Sequence, residues 1–247
     1  VNFSNHTGYG AWRGPLIESS DVWEVVQGID DRGVLGAVDA LLCGYQGTPE
    51  VGRVILDTAR LIKERNPQAV FCADPVMGDV DRGFYARPGI PEFWRDHVVQ
   101  HADIMTPNLF ELEFLTGHPT RTTADVLAAV DELRGRGPEV VVVTSVVGSD
   151  AADDVMRMIG VGPEGAWQVE TPVLDRKFTG SGDLTTAMFL AHWLRSRDVG
   201  AALGVTASVV YSVLEATTRA GHPELRLVDA QSDIVDPRFV FQAEPVG

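Results

Sequence analysis

Apolar positions change their period along this chain, and the changes mark alternating strands and helices. Ala37-Val38-Asp39-Ala40-Leu41-Leu42 reads as an apolar strand ending at Gly44-Tyr45. Thr48 then has the character of an N-cap, with Pro49 at the first helical position. Val51, Val54, Ile55, Thr58, Leu61 and Ile62 recur at helical spacing until Asn66-Pro67 stops them. Ala69-Val70-Phe71-Cys72-Ala73 is the next strand and closes on Asp74-Pro75. Asp103-Ile104-Met105-Thr106 is a short strand stopped by Pro107, with a helix from about Leu109. Val126, Ala129, Val130 and Leu133 mark a further helix, ended around Gly135 and Gly137. Val140-Val141-Val142-Val143 is unbroken, which suits a strand buried on both faces of a parallel sheet. Residues near 155–171 read as a two-stranded antiparallel excursion, and helices follow over about 182–196 and 199–218.

Alternating βα units imply an α/β fold, a three-layer αβα sandwich with a mostly parallel central sheet. Ligands in such folds lie beyond the carboxyl ends of the strands. The polar punctuation falls there: Gly44-Tyr45, Asp74, Asp79, Thr106-Pro107-Asn108, Glu111 and Thr144-Ser145. Each also has a plain reading. Asp74-Pro75 makes a turn, Asn108 a helix cap, and Glu111 a first-turn partner of the helix dipole. Gly78 to Gly89 is polar and glycine-rich and reads as a flap over the site. No repeat or linker divides the chain, so residues 1–247 form a single domain.

Composition narrows the partners. Net charge is −15 and no basic cluster stands out, which argues against nucleic acid and anionic membranes. No apolar run reads as long enough to span a bilayer and no signal peptide opens the chain, so a cytoplasmic protein is expected. Cys43 and Cys72 lie in strand-like runs and read as buried free thiols. His97 and His101 are four apart, on one face of a helix, but lack further ligands at zinc-like spacing.

The most informative chemistry is Thr179-Gly180-Ser181-Gly182-Asp183-Leu184, which runs into an apolar helical pattern. Such a turn aims backbone N–H groups outward at a helix N-terminus, a site for an anion such as phosphate. A carboxylate placed there is useful if it removes a proton, which points to phosphoryl transfer onto a hydroxyl. The plain alternative is a loop with an acidic helix start. Several acids beside one strand edge favour a Mg²⁺–nucleotide site, because Mg²⁺ takes oxygen ligands, waters and phosphates.

With these motifs in hand the chain resembles a family. Ser4-Asn5-His6-Thr7-Gly8-Tyr9, Gly44-Tyr45, Cys72-Ala73-Asp74-Pro75-Val76-Met77-Gly78-Asp79, Thr106-Pro107-Asn108-Leu109-Phe110-Glu111 and Gly180-Ser181-Gly182-Asp183 look like pyridoxal kinases of the ribokinase-like superfamily, in order and approximate spacing. The resemblance runs to Asp233-Ile234-Val235-Asp236-Pro237. It implies ATP-dependent phosphorylation of the 5′ hydroxyl of pyridoxal and related B6 vitamers, with Asp183 as the base. Gly180, Ser181 and Gly182 form the anion hole it implies. Asp74, Asp79 and Glu111 would lie beside the nucleotide phosphates, with Asp79 and Glu111 placing Mg²⁺ directly or through water. Thr106, Thr144 and Ser145 would line the phosphate region or a monovalent cation, K⁺ or Na⁺. Thr171, Pro172, Val173 and Leu174 would line the adenine side. Thr7, Gly8 and Tyr45 would contact the pyridoxal ring, and a homodimer is expected.

The chain opens Val1-Asn2-Phe3, already inside a family-like strand. The resemblance places a strand–helix unit of roughly 30 residues before it, with a serine that contacts the ring. Without that unit the chain is expected to bind Mg–ATP and to phosphorylate pyridoxal poorly. The alternatives are a kinase for another small alcohol, such as a hydroxymethylpyrimidine or a sugar, or a protein that binds vitamer or nucleotide without turnover. Ser4-Asn5-His6-Thr7 argues against a sugar. Asp183 argues against hydroxymethylpyrimidine, whose kinases often carry a cysteine in that motif, and also against a binder without turnover.

Overall fold

A computed structural model describes residues 13–147, 150, 152 and 154–247. The first helix among these residues is α1 (Ser19–Asp30), an element not expected above. Val22, Val25, Val26 and Ile29 recur at helical spacing, but none of its residues is fully buried. Arg65, at the end of α2 (Pro49–Arg65), grips Asp30 at the end of α1 through two hydrogen bonds of 2.9 and 2.7 Å.

Among the described residues seven strands form the main sheet: β1 (Ala40–Cys43), β2 (Val70–Ala73), β5 (Ile104–Met105), β6 (Val140–Val146), β7 (Val155–Gly162), β8 (Gly165–Pro172) and β9 (Glu244–Pro245), in the order β1-β2-β5-β6-β7-β8-β9. The first four run parallel and the last three join antiparallel. Strands β7 and β8 are therefore no excursion: β7 pairs with β6 and extends the main sheet. The expected first strand also shifts, because Leu35–Ala37 is a turn of 3-10 helix. A separate hairpin, β3 (Gly78–Asp79) with β4 (Gly83–Phe84), lies within the stretch read as a flap. It rests on α4 (Leu109–Thr116), where the Phe84 ring meets Phe110 and Phe114 edge-on at 4.9 and 5.1 Å.

Alternation along the strands fills both sides of the sheet. Val141 and Val143 join Phe71, Met105, Trp94, Leu112 and Leu133 in one core layer, toward α4 and α5 (Thr123–Arg134). Val140 and Val142 join Cys72, Ile104, Phe189 and Leu203 in the other, toward α6 (Ser181–Ser196) and α7 (Val199–Arg219). This explains the unbroken valine run, since both faces of β6 are dry. Burying apolar area on both sides is the main favourable term holding the layers together. Cys43 and Cys72 are free and buried within these layers.

Two expectations need correction. Helix α7 is long and apolar enough to cross a membrane by length and composition, although 61% of its most apolar stretch is buried in the fold. Its apolar residues are scattered among small and hydroxyl ones, which hides the run from a count of consecutive apolar positions. His97 and His101 do not lie in a regular α-helix either. Following the short helix α3 (Ile90–Phe93), His97 lies in a wide π turn (Trp94–Val98) and His101 in a 3-10 turn (Val99–His101).

Candidate active site

Gly180 adopts φ 86°, ψ 1° and caps the N-terminus of α6. That left-handed conformation suits glycine and turns the chain sharply into the helix. The Ser181 hydroxyl donates back to the Phe178 carbonyl at 3.2 Å. The first-turn N–H groups, which lack intrahelical acceptors, are left as donors for an anion. Asp183 is the third residue of the helix and stays exposed. Partial desolvation lifts its carboxyl above the ordinary range, opposed by its own backbone N–H. The end of β1 closes one side, because a Cβ on Gly44 would lie 3.5 Å from Asp183 Oδ1.

The parallel strands bring the other acids to the same edge. Asp74 follows β2 and is 6% exposed. Burial pushes its carboxyl well above the ordinary range; Glu111 and Asp183 push the same way, and a hydrogen bond from Thr186 partly offsets them. Glu111 is held by a capping box at the start of α4. Its Oε2 accepts the Asn108 N–H at 2.9 Å and its Oε1 accepts the Met77 N–H at 3.0 Å. Burial still raises Glu111 to about 7 against those N–H groups. Asp79 lies on β3. Burial alone would raise it, but the Arg82 guanidinium and backbone N–H hold it below the ordinary value. Arg82 approaches Asp79 to 2.6 Å.

The remaining candidates divide. Thr106, 2% exposed, turns its hydroxyl to Thr186 at 2.8 Å. The Thr144 N–H donates to the Pro107 carbonyl at 2.9 Å, tying β6 to the loop before α4. Ser145 stands at φ 54°, where the β6–β7 register slips between Val143 and Val146. A non-glycine residue in that region is unusual and often found at ligand sites. Strand β8 runs parallel to β6, so Thr171, Pro172, Val173 and Leu174 leave the sheet at the same edge. Tyr45 is 37% exposed beside Gly44. Thr7 and Gly8 lie outside the described residues.

Several neighbours were not anticipated. Thr186 sits one turn beyond Asp183 and touches both Asp74 and Thr106. Its only trace in the sequence is a threonine on the buried face of α6. Arg82 binds Asp79 and stacks over the Tyr85 ring at 4.8 Å. Lys177 meets Asp81 at the flap tip at 2.6 Å, linking the flap to the loop before Gly180.

A divalent cation fits this edge through its phosphates and waters. Among the described residues no three potential ligands cluster tightly enough to hold a metal alone. Both Glu111 oxygens already accept N–H groups, and Asp79 is engaged by Arg82. A second lone pair on each oxygen remains for metal-bound water. The concentration of acids around Asp74 is charge that a cation would relieve.

An anion cradle, an accessible acid and buried carboxylates at the carboxyl edge of the sheet define a small-molecule kinase site. Residues 38–227 match the phosphomethylpyrimidine kinase family. The pyridoxal kinase PdxY of Rubrobacter xylanophilus is 49% identical over 100% of this chain and 86% of its own length. That of Leifsonia xyli is 48% identical over 100% and 87%. The pyridoxal kinase of Leishmania donovani, solved with ADP and pyridoxamine, superposes with a TM-score of 0.88 at 25% identity, covering 98% of this chain and 86% of that one. The chain belongs to the pyridoxal kinases, within the ribokinase-like α/β kinases.

Proposed function

We propose that the chain transfers the γ-phosphoryl group of ATP to the 5′ hydroxyl of pyridoxal and related B6 vitamers, forming pyridoxal 5′-phosphate. The observation that carries this reading is Asp183: an exposed acid with a raised pKa at the N-terminus of α6, beside a left-handed glycine turn. A raised pKa brings a general base nearer to working pH. Asp183 takes the proton from the substrate hydroxyl as its oxygen bonds to the γ-phosphorus, while the bond from that phosphorus to the bridging oxygen breaks and ADP leaves. The Gly180, Ser181 and Gly182 N–H groups stabilise the charge that develops on the transferred phosphoryl oxygens. Mg²⁺, when bound, would neutralise phosphate charge.

Glu111 and Asp79 would hold Mg²⁺, directly or through water, and Asp74 would lie beside the nucleotide phosphates. Thr144 and the strained Ser145 contact the phosphate region or a monovalent cation. Thr171 to Leu174 border adenine. Thr7, Gly8 and Tyr45 contact the pyridine ring. The working protein is a cytoplasmic homodimer in this reading, which sedimentation tests for assembly.

A hydroxymethylpyrimidine is the second acceptor worth testing, because the matching family carries that name. The experiment is to supply ATP and Mg²⁺ with each alcohol and measure product by mass. Turnover of pyridoxal with at least tenfold higher kcat/KM supports the proposal. Preference for the pyrimidine, or binding of pyridoxal without product, overturns it.

A further inference from the structure

We propose that Thr186 is a positioning residue that fixes Asp74 and the Asp183 turn in one register. The inference rests on the kinase reading above. Threonines inside helices of this protein usually return their hydroxyls to the carbonyl four residues back. Thr185, Thr206, Thr217 and Thr218 do so, at 2.8, 2.7, 2.8 and 2.9 Å. Thr186 reaches out of its helix instead. Its Oγ1 lies 3.3 Å from Asp74 Oδ2 and 2.8 Å from Thr106 Oγ1.

A hydroxyl has a single proton to give. With Asp74 ionised, Thr186 donates to Asp74, and Thr106 must donate to Thr186. One side chain thus joins three elements: the end of β2, the end of β5 and the first turns of α6. All three members are buried, at 6%, 2% and 1% exposure for Asp74, Thr106 and Thr186. Asp183 stands three residues before Thr186, so the two occupy one side of the helix a turn apart. The hydroxyl chain therefore sets how the turn that carries the base sits over the acidic strand ends.

Phosphoryl transfer depends on alignment more than on covalent work by the protein, so small displacements are expensive. Thr186→Val keeps the shape and removes the hydroxyl. It leaves a buried carboxylate oxygen and a buried hydroxyl without their shared partner. We expect kcat to fall about 10–100-fold, with KM for pyridoxal and affinity for Mg–ADP within about threefold of the parent. Thr186→Ser keeps the hydroxyl and should retain at least half of kcat. Thr106→Val preserves the Thr186–Asp74 bond and should cost less than Thr186→Val. Thr206→Val, which removes a buried hydroxyl far from the site, is the control for a general effect.

The variant-to-parent ratio tests this proposal, whereas the turnover of the parent tests the kinase reading. Amide hydrogen exchange over residues 184–187, the first amides of α6 protected by helical bonds such as Leu184 N–H to the Gly180 carbonyl, gives a readout that needs no turnover. Exchange should speed up about tenfold in Thr186→Val and stay unchanged in Thr206→Val and Thr186→Ser. If Thr186→Val does not unfold cooperatively in urea, Thr186→Ala is read the same way. Three results would each overturn the proposal: kcat within twofold of the parent together with unaltered exchange, equal impairment of the serine variant, or loss of Mg–ADP affinity in step with kcat.

Discussion

Replacing Glu111 by glutamine removes one buried ionisable group while nearly preserving its shape. In the folded chain Glu111 is 3% exposed and its carboxyl is raised from 4.5 to about 7 by burial. A folded-state pKa above the unfolded one means that the native protein holds a proton which the unfolded chain releases. Stability contributed by this group is then fully present below pH 4.5 and is lost as pH rises through 7. The shift corresponds to roughly 3 kcal/mol at 1.36 kcal/mol per unit. Glutamine has no such dependence. It does have a fixed cost, because its amide can accept from only one of the Met77 and Asn108 N–H groups, worth about 1–3 kcal/mol. Glu111→Gln should therefore be the less stable protein at pH 5, and the gap should close or reverse by pH 8. Asp74 titrates in the same direction in both proteins, and its own pKa should drop once Glu111 cannot ionise. The assay is urea unfolding of both proteins at pH 5 and pH 8 at fixed ionic strength, with unfolding slopes compared. A stability difference that is the same at both values would show that Glu111 ionises in its ordinary range, and the account of its burial would be wrong. With metal in the assay the same variant should need more Mg²⁺ for half-maximal rate, and excess Mg²⁺ should restore part of it.

Other consequences are equally concrete. Asp183→Asn should lower kcat by about 10²–10⁴ while Mg–ATP affinity stays within a few-fold; a variant that keeps more than half of kcat would remove Asp183 from the role of base. Gly180→Ala has space, with Leu225 Cδ1 3.6 Å from the added Cβ, but at φ 86° it should cost about 1–2 kcal/mol in urea unfolding and lower kcat by re-aiming the turn. Gly137→Ala would set a Cβ 2.2 Å from the Val99 carbonyl oxygen, so backbone must move; a loss of about 1–3 kcal/mol is expected, with kcat per folded molecule unchanged.

Much of the fold is legible because its signals are local. Thr48-Pro49 starts α2 as expected, with the Thr48 hydroxyl accepting the Val51 N–H at 3.3 Å. The stripe of Val126, Ala129, Val130 and Leu133 is the buried face of α5, and the valine run is β6. Asp183 is legible for the same reason: glycine, N–H groups and acid lie within a few residues, so their geometry follows from one turn of chain. Helix α1 carries Val22, Val25, Val26 and Ile29 at helical spacing, so its signal was legible too, whereas the turns between Ile90 and His101 are too short to sustain a repeating stripe.

What only the tertiary structure decides is which distant groups meet and what that does to them. Asp74 and Thr186 are 112 residues apart, and Glu111 and Met77 are 34 apart. Their contacts depend on strand order, on β5 lying between β2 and β6, and on α6 crossing the strand ends. The same packing turns the Thr106 hydroxyl toward Thr186 and removes water from Asp74 and Glu111. A sequence records residue types and near neighbours, but desolvation and mutual repulsion depend on the distances and burial that the assembled sheet imposes. The identity of the acids was therefore written in the chain, whereas their protonation and division of labour arise only from the fold.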